Sequence, residues 1–370
     1  MKWLFWISLV MIAYPYLGYP LWVYLRARFR GRPIRPARVF PSASIVLAVH
    51  NEERALPAKL RNLAALHYPK GLLEIVVVSD GSTDGTNRIL EASKQEYLRV
   101  IVSPEHEGKA CALNRGIQAA QGEIVVFTDA RQAIAPEALS RLVADFADPM
   151  VGCVSGELVM AGQPDNGVGS YWNLEKKIRK WESVGGSVIG ATGAFYAVRK
   201  QLLVPLPPDT ILDDVFIPLH VARLGSRVIF EPQARVWDPL RAGLKHEFHR
   251  RVRTLVGNYQ LLRLAPWVLS RVNPVRFEFV SHKLLRLLVP FALVIFFGSS
   301  ALIRGTFYEL CTGLQVVFYS LGALGLFHPK LGLVGRLANL VLTFLMLNCA
   351  AVVAFLNFLT GKKQVWIRPA

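Results

Sequence analysis

Four short clusters hold the side chains best suited to chemistry: His50-Asn51-Glu52-Glu53, Ser79-Asp80-Gly81-Ser82-Thr83-Asp84-Gly85, Thr128-Asp129-Ala130-Arg131 and Leu212-Asp213-Asp214. Carboxylates accept hydrogen bonds from ring N–H groups and ribose hydroxyls, hold hard divalent cations, or take up a proton. Each cluster alone is weak. An Asp-Gly pair after a strand is most often only a turn, and an Asp-Asp pair is usually a solvated loop. Their ordered occurrence within one segment carries the weight.

The elements that must position them follow from the hydrophobic pattern. Ser44-Ile45-Val46-Leu47-Ala48-Val49, Leu73-Glu74-Ile75-Val76-Val77-Val78 and Glu123-Ile124-Val125-Val126-Phe127 read as buried strands, each ending in polar residues. Helical patterns lie between them, at Leu56 to Leu66 and Thr86 to Gln95. Strands alternating with helices predict an α/β fold with a mainly parallel sheet, whose ligands sit at the carboxyl ends of the strands. The acidic clusters fall at those ends, so they converge on one crevice.

The chain is too apolar to be one soluble domain. Hydrophobic residues make up 52% of its 370 residues, yet its formal charge is +17. A basic balance of that size suits nucleic acid, an anionic membrane surface or phosphorylated substrates. No nucleic-acid recognition motif is present, and the basic residues gather at the borders of apolar runs, which sets nucleic acid aside. Cys111, Cys153, Cys311 and Cys349 show no paired spacing, so neither a zinc site nor a disulfide framework is implied. The two in the α/β segment suit a reducing compartment.

Trp3 to Leu25 has no charged residue and predicts a membrane-spanning helix; its length, prolines and tyrosines argue against a cleaved signal peptide. Arg26, Arg28, Arg30, Arg32, Arg35 and Arg38 follow with no acid among them. Such a run stays cytoplasmic and favours lipid headgroups, which places the α/β segment in the cytoplasm. Further apolar runs extend over Leu287 to Ile303, Leu310 to Phe327 and Leu337 to Gly361. The expected organisation is a membrane helix (1–25), a basic linker (26–43), a catalytic domain (44–240), amphipathic interface helices (241–283), membrane helices (284–361) and a basic tail (362–370). The stretch from Arg241 to Arg263 suits either the membrane interface or packing on the soluble domain alone. Four spans put the tail outside, whereas Lys362, Lys363 and Arg368 favour the inside, so span count and charge disagree there.

The order of clusters resembles the family 2 glycosyltransferases with the GT-A fold, the group that includes hyaluronan, chitin and cellulose synthases. The resemblance runs from about Ser44 to Gln260. Ala48-Val49-His50-Asn51-Glu52-Glu53 is similar to the family's first-strand motif, with His50 where Tyr is usual. Val78 to Thr86 matches its second motif, and Gly108-Lys109-Ala110-Cys111-Ala112-Leu113-Asn114 its GKA-ALN segment.

The resemblance implies a role for each residue. Glu52 and Asp80 would bind the nucleotide, and Lys109 would neutralise phosphate charge. Asp129 opens the family's DxD motif, which holds Mg²⁺ or Mn²⁺ against the diphosphate; Arg131 replaces its second Asp. Either Asp129 and the diphosphate suffice, or Arg131 contacts phosphate itself. Asp214 would be the general base, with Asp213, Thr192 and Gly193 at the acceptor. Arg253 takes the diphosphate-binding arginine of a QxxRW segment whose Gln and Trp are here Arg250 and Thr254.

The expected activity is therefore inverting transfer from a nucleotide-sugar, by family habit a UDP-sugar, to a glycan or lipid-linked acceptor. A processive synthase that passes its product through the membrane is the nearest alternative, weakened by the missing Trp. A non-catalytic nucleotide-sugar-binding membrane subunit is the other, opposed by intact Asp80, Asp129, Asp214 and Arg253. A partner subunit is compatible with any of these.

Overall fold

Every residue of the first strand, Ala43–Val49, is buried, and so is every residue of Ile124–Thr128, as expected of continuous apolar strands covered on both faces. The computed structural model describes residues 1–93, 95–160, 167–238, 244–327 and 332–361. Its eight strands are β1 (Ala43–Val49), β2 (Leu73–Asp80), β3 (Leu98–Ser103), β4 (Ile124–Thr128), β5 (Ala133–Ile134), β6 (Val151–Met160), β7 (Phe195–Arg199) and β8 (Arg227–Asp238). They form one sheet in the order β3-β2-β1-β4-β7-β6-β8-β5. The β3-β2-β1-β4 and β6-β8 pairings are parallel, and β7 and β5 run antiparallel to their neighbours. The sheet is thus mixed but mainly parallel, with β1 to β4, β6 and β8 all pointing one way.

Side chains alternate across the sheet and build a core on each face. Val46, Val78 and Phe127 pack on one side with Leu113 of the helix Lys109–Ala119, and Tyr196 of β7 joins them. Ile45, Leu47, Val77 and Val126 pack on the other with Leu63 of the helix Leu56–Ala64. Each buried Val, Leu or Ile contributes roughly 1.5–3 kcal/mol, so the sheet gives a rigid base for its strand ends.

Among the described residues, four helices are long and apolar enough to cross a membrane: Lys2–Arg30, Arg276–Leu302, Thr306–Phe327 and Gly332–Leu359. Val10, Leu17, Val294 and Val317 stand on their outer faces, exposed among protein atoms as lipid-facing residues would be. The second helix starts before the uncharged run at Leu287 and takes in Glu278, His282, Lys283 and Arg286. His282 and Arg286 are met by the α/β segment, and Glu278 by Arg26 of the first helix. Along the helix Gly167–Gly185, Glu175 and Glu182 lie seven residues apart on one face. His282 bridges them, with Nδ1 2.8 Å from Glu182 Oε1 and Nε2 2.9 Å from Glu175 Oε2. The Tyr19 hydroxyl donates to Glu182, and Arg286 pairs with Glu175. Buried charges survive only when paired, so this knot fixes the α/β segment against two of the apolar helices.

The amphipathic helix Leu244–Leu264 presses Val252 and Val256 onto Ala350 and Ala354 of the last apolar helix. It also touches Ile211, so it packs between the acidic Asp213-Asp214 segment and that helix. Arg241 and the basic tail with Lys362, Lys363 and Arg368 lie outside the described residues.

Candidate active site

The carboxyl ends of β1, β2 and β4 open on one crevice, where two groups of side chains gather. The first surrounds Asp80 at the end of β2. Its carboxylate is fully buried and accepts the backbone N–H groups of Glu107 and Gly108 at 3.0 and 2.8 Å. His106 Nδ1 lies 2.8 Å from the same carboxylate. His50 stacks on His106 with ring centroids 3.9 Å apart and approaches the Asp80 carbonyl oxygen. The stacked imidazoles lie beside the carboxylate, with His106 partly exposed, and an outer face of the stack is a suitable platform for a planar base.

The turn after Asp80 is largely self-stapled. Asn51 adopts a left-handed backbone (φ 54°), which Asn tolerates. Its side-chain oxygen accepts the N–H groups of Thr83 and Asp84. Glu53 caps the N–H of Gly85, and the Glu52 N–H reaches the Thr86 hydroxyl. Much of this motif is therefore architecture that fixes the loops around Glu52 and Asp80, rather than ligand chemistry.

The second group centres on Lys109, the first residue of its helix. Its ammonium lies 3.1 Å from Asp129 and 3.2 Å from Asp213. Burial works against the charge, but Asp129, Asp213 and Asp214 outweigh it and hold the lysine above its ordinary range. Asp213 also accepts the Tyr196 hydroxyl at 3.2 Å. Asp214 is half-buried beside them. Burial, then the charge of Asp213, raise its carboxyl to about 6 against the pull of Lys109.

The loop 190–193 wraps around Asp214. Gly193 N–H donates to Asp214 Oδ2 at 3.1 Å, and Ala191 N–H donates to the Asp214 carbonyl at 2.7 Å. A Cβ at Gly193 would stand 3.0 Å from Asp214 Oδ2, so only glycine leaves that carboxylate undisturbed. Thr192 is held from behind by Arg179, which donates to its hydroxyl at 2.7 Å and to Ser155 Oγ at 2.6 Å.

The residues expected from the sequence are thus arranged in parts. Lys109, Asp129, Asp213 and Asp214 meet directly or through Lys109, with Thr192 and Gly193 adjoining them. Glu52 stands apart, paired with Arg131. Arg253 sits on the helix Leu244–Leu264, and among the described residues its side chain makes no ion pair. Four participants escaped the sequence reading. His106 and Tyr196 fall just outside the 108–114 and 190–193 segments, and Arg179 is one of several basic residues on its helix. Lys59 is buried on the helix Leu56–Ala64, where it reads as one more exposed basic residue, yet it donates to Thr128 Oγ1 and the Gln132 carbonyl behind Asp129. Burial lowers its ammonium to about 7, partly offset by Asp129.

A divalent ion fits one side of this group. Asp129 offers an accessible carboxylate, with 39% of its side chain exposed, and a cationic nitrogen already rests against it. Among the described residues no three His, Cys, Asp or Glu side chains form a cage. The donor set therefore suits a metal completed by the oxygens of a bound diphosphate, not a resident structural ion.

Residues 44–204 match the model described as Glycosyl transferase family 2. Among curated proteins the chain is similar to the probable glycosyltransferase YdaM of Bacillus subtilis, 27% identical over 232 residues. It is also similar to the poly-beta-1,6-N-acetyl-D-glucosamine synthase of Staphylococcus aureus, 28% identical over 229 residues. Each alignment takes in 59% of this chain and 55% of the relative, so the chain spans about half the length of the curated relatives it matches. Among solved structures it resembles the mannosyltransferase PcManGT from Pyrobaculum calidifontis, in complex with GDP-Man and Mn²⁺. The TM-score is 0.73 at 25% identity, covering 97% of this chain and 99% of that one.

Proposed function

We propose, from the premise that residues 44–204 are a family 2 glycosyltransferase domain of GT-A fold, that the chain transfers a sugar from a nucleotide-sugar with inversion. The acceptor is a glycan or lipid-linked hydroxyl compound at the cytoplasmic face of a membrane. One observation carries this reading: Asp129, Asp213 and Asp214 gather around Lys109 at the carboxyl edge of the sheet, with the Asp214 carboxyl raised to about 6.

A carboxylate of that basicity suits proton transfer near neutral pH. Asp214 accepts the acceptor hydroxyl's proton as that oxygen attacks the anomeric carbon. The bond from the anomeric carbon to the diphosphate oxygen breaks, and the nucleoside diphosphate leaves with the electron pair. One displacement inverts the centre. Gly193 N–H fixes the orientation of Asp214, and Lys109 keeps the three acids from repelling one another while presenting positive charge to the crevice. Asp129 would hold Mg²⁺ or Mn²⁺, which when bound stabilises charge on the departing diphosphate. Asp80 and the His50–His106 stack receive the base, with Glu52 beside them, and Arg253 takes the diphosphate from the membrane side.

Resemblance to a polysaccharide synthase supports a processive second reading, whereas Thr254 in place of a stacking Trp supports single or short-chain addition. Assaying the full chain against UDP- and GDP-sugars, with and without Mn²⁺, tests the proposal. Release of nucleoside diphosphate with transfer to a hydroxyl acceptor is expected. A polymer ladder would select the processive reading, and no turnover or donor binding with any donor would reject transfer.

A further inference from the structure

A second cavity lies on the opposite edge of the sheet. Val151 and Arg227 open the parallel strands β6 and β8, so they mark the amino ends, away from Asp80 and Asp129. There a cavity of about 370 Å³ is lined by Arg26, Arg30, Arg32 and Arg227, with Gly186 and Ser226 among its walls. No carboxylate is among its lining residues. Arg26 pairs with Glu278 behind the wall, and Arg227 donates to the carbonyls of Ser183 and Gly186. Among the described residues no carboxylate pairs with Arg30 or Arg32. Burial depresses the Arg227 guanidinium, Asp148 opposes that, and the charge of Arg32 depresses it further. The cavity therefore holds uncompensated positive charge. A Cβ at Gly186 would stand 2.9 Å from an Arg26 guanidinium nitrogen, so a side chain there would crowd the arginine.

Its position relative to the apolar helices indicates the ligand. Arg26 and Arg30 end the first helix, and Pro274 and Val275 lead into the second, so the cavity sits beside the ends of both helices on the same side. Aromatic rings lie one turn deeper: Trp22 and Phe277 are 4.5 Å apart, and Arg26 lies over Trp22 at 5.2 Å. Tyr24 meets Trp181 at 5.2 Å. Tryptophan and tyrosine mark headgroup depth in a bilayer, and arginines just beyond them meet lipid phosphates. We propose that this cavity binds the phosphodiester headgroup of an anionic phospholipid, its acyl chains lying along the first two apolar helices. The site rests on the membrane-spanning reading of those helices and not on the transfer chemistry.

The test uses the full chain in uncharged detergent micelles and follows thermal unfolding with added phosphatidylglycerol, phosphatidylcholine or inorganic phosphate. Phosphatidylglycerol is expected to raise Tm while the other two leave it nearly unchanged. The shift should vanish in Arg30→Gln/Arg32→Gln and persist in Arg28→Gln/Arg35→Gln, which removes equal charge outside the cavity. Ser226→Glu, which brings a carboxylate to the cavity wall, should also abolish it if the double arginine variant does not fold. An equal loss in both arginine variants would overturn the site in favour of diffuse attraction. An equal shift with phosphatidylcholine would also overturn it, and a full shift with inorganic phosphate alone would overturn the lipid as its source. Donor turnover in each variant reads the transferase separately, so its failure and the failure of the lipid site are distinguishable.

Discussion

Arg131 Nη2 lies 2.7 Å from Glu52 Oε1, and its Nε lies 3.3 Å from Oε2, so the residue in place of a second DxD aspartate grips the carboxylate after β1. The sequence leaves two readings, that Asp129 and the diphosphate suffice or that Arg131 contacts phosphate, and here the guanidinium is occupied by Glu52. It ties the loop after β4 to the loop after β1 through a two-point ionic contact, the geometry in which arginine exceeds lysine. With the arginine about a third exposed, the pair contributes about 1 kcal/mol, near the upper range of surface bridges. Glu52→Gln and Arg131→Met should each raise the donor KM. The double variant should lose less than the sum, with a coupling of about 1 kcal/mol in denaturation. Strict additivity in both measurements would show that the pair is incidental.

Asp214→Asn should lower turnover by roughly 10²–10⁴-fold, the usual contribution of a general base, while donor affinity by calorimetry stays near wild type. The variant also bears on stability. A carboxyl raised from 3.8 to about 6 binds a proton more tightly in the folded state, so stability falls as pH rises through that window. Asp214→Asn should therefore melt higher than wild type at pH 7. Unchanged turnover would remove the base assignment, and a lower melting point would contradict the strained carboxylate.

The same shift sets the pH dependence. A base role for Asp214 requires its ionised form, so kcat/KM should fall below about pH 6 and level off above it. Asp213 raises that carboxyl and Lys109 lowers it. Asp213→Asn should move the acid limb to lower pH, and Lys109→Met should move it to higher pH. Limbs that stay fixed in both variants would assign the titration to another group.

Much of this was legible from local pattern alone. The three continuous apolar runs announced β1, β2 and β4 because parallel strands buried on both faces leave no polar alternation to misread. The acidic clusters were legible because strand ends place them together. β7 and the bent β6 and β8 were not, since Phe195–Arg199 carries Tyr196 and Arg199 and runs on from the 190–193 loop, and Glu157 and Arg235 interrupt the apolar pattern. The partners of the cluster were hidden for a different reason. Lys59 and Arg179 lie on helices among many basic residues, and only tertiary packing separates a buried cation from a solvated one. Likewise, His282, in the charged stretch ahead of the apolar run at Leu287, gave no sign of the two glutamates that hold it.

The metal expectation can be separated from the base. Asp129→Asn leaves Lys109 paired with Asp213 and should reduce Mn²⁺-stimulated turnover while leaving the acid limb of Asp214 near its wild-type pH. Chelation of the wild type should weaken donor binding by calorimetry, because the protein offers one exposed carboxylate and the diphosphate must complete the shell. Equal donor affinity with and without Mn²⁺ would show that Asp129 serves only as a partner for Lys109.

Arg179 gives the sharpest separation of acceptor from donor. Its guanidinium donates to Thr192 Oγ1 and Ser155 Oγ, reaches the Gly190 carbonyl, and stacks over Phe230 at 4.8 Å. It touches neither Asp129 nor Lys109, but it holds the loop whose Gly193 N–H orients Asp214. Arg179→Met should loosen that loop, raising the acceptor KM about tenfold or more and lowering kcat, since a misplacement near 1 Å costs on the order of 10²-fold. The donor Kd should stay unchanged. Arg179→Lys retains the charge but cannot bridge both hydroxyls from one plane, so its rescue should be partial. A structural role alone would instead lower Tm in both variants and weaken donor and acceptor binding together. Thermal unfolding beside separate donor and acceptor titrations decides between the two.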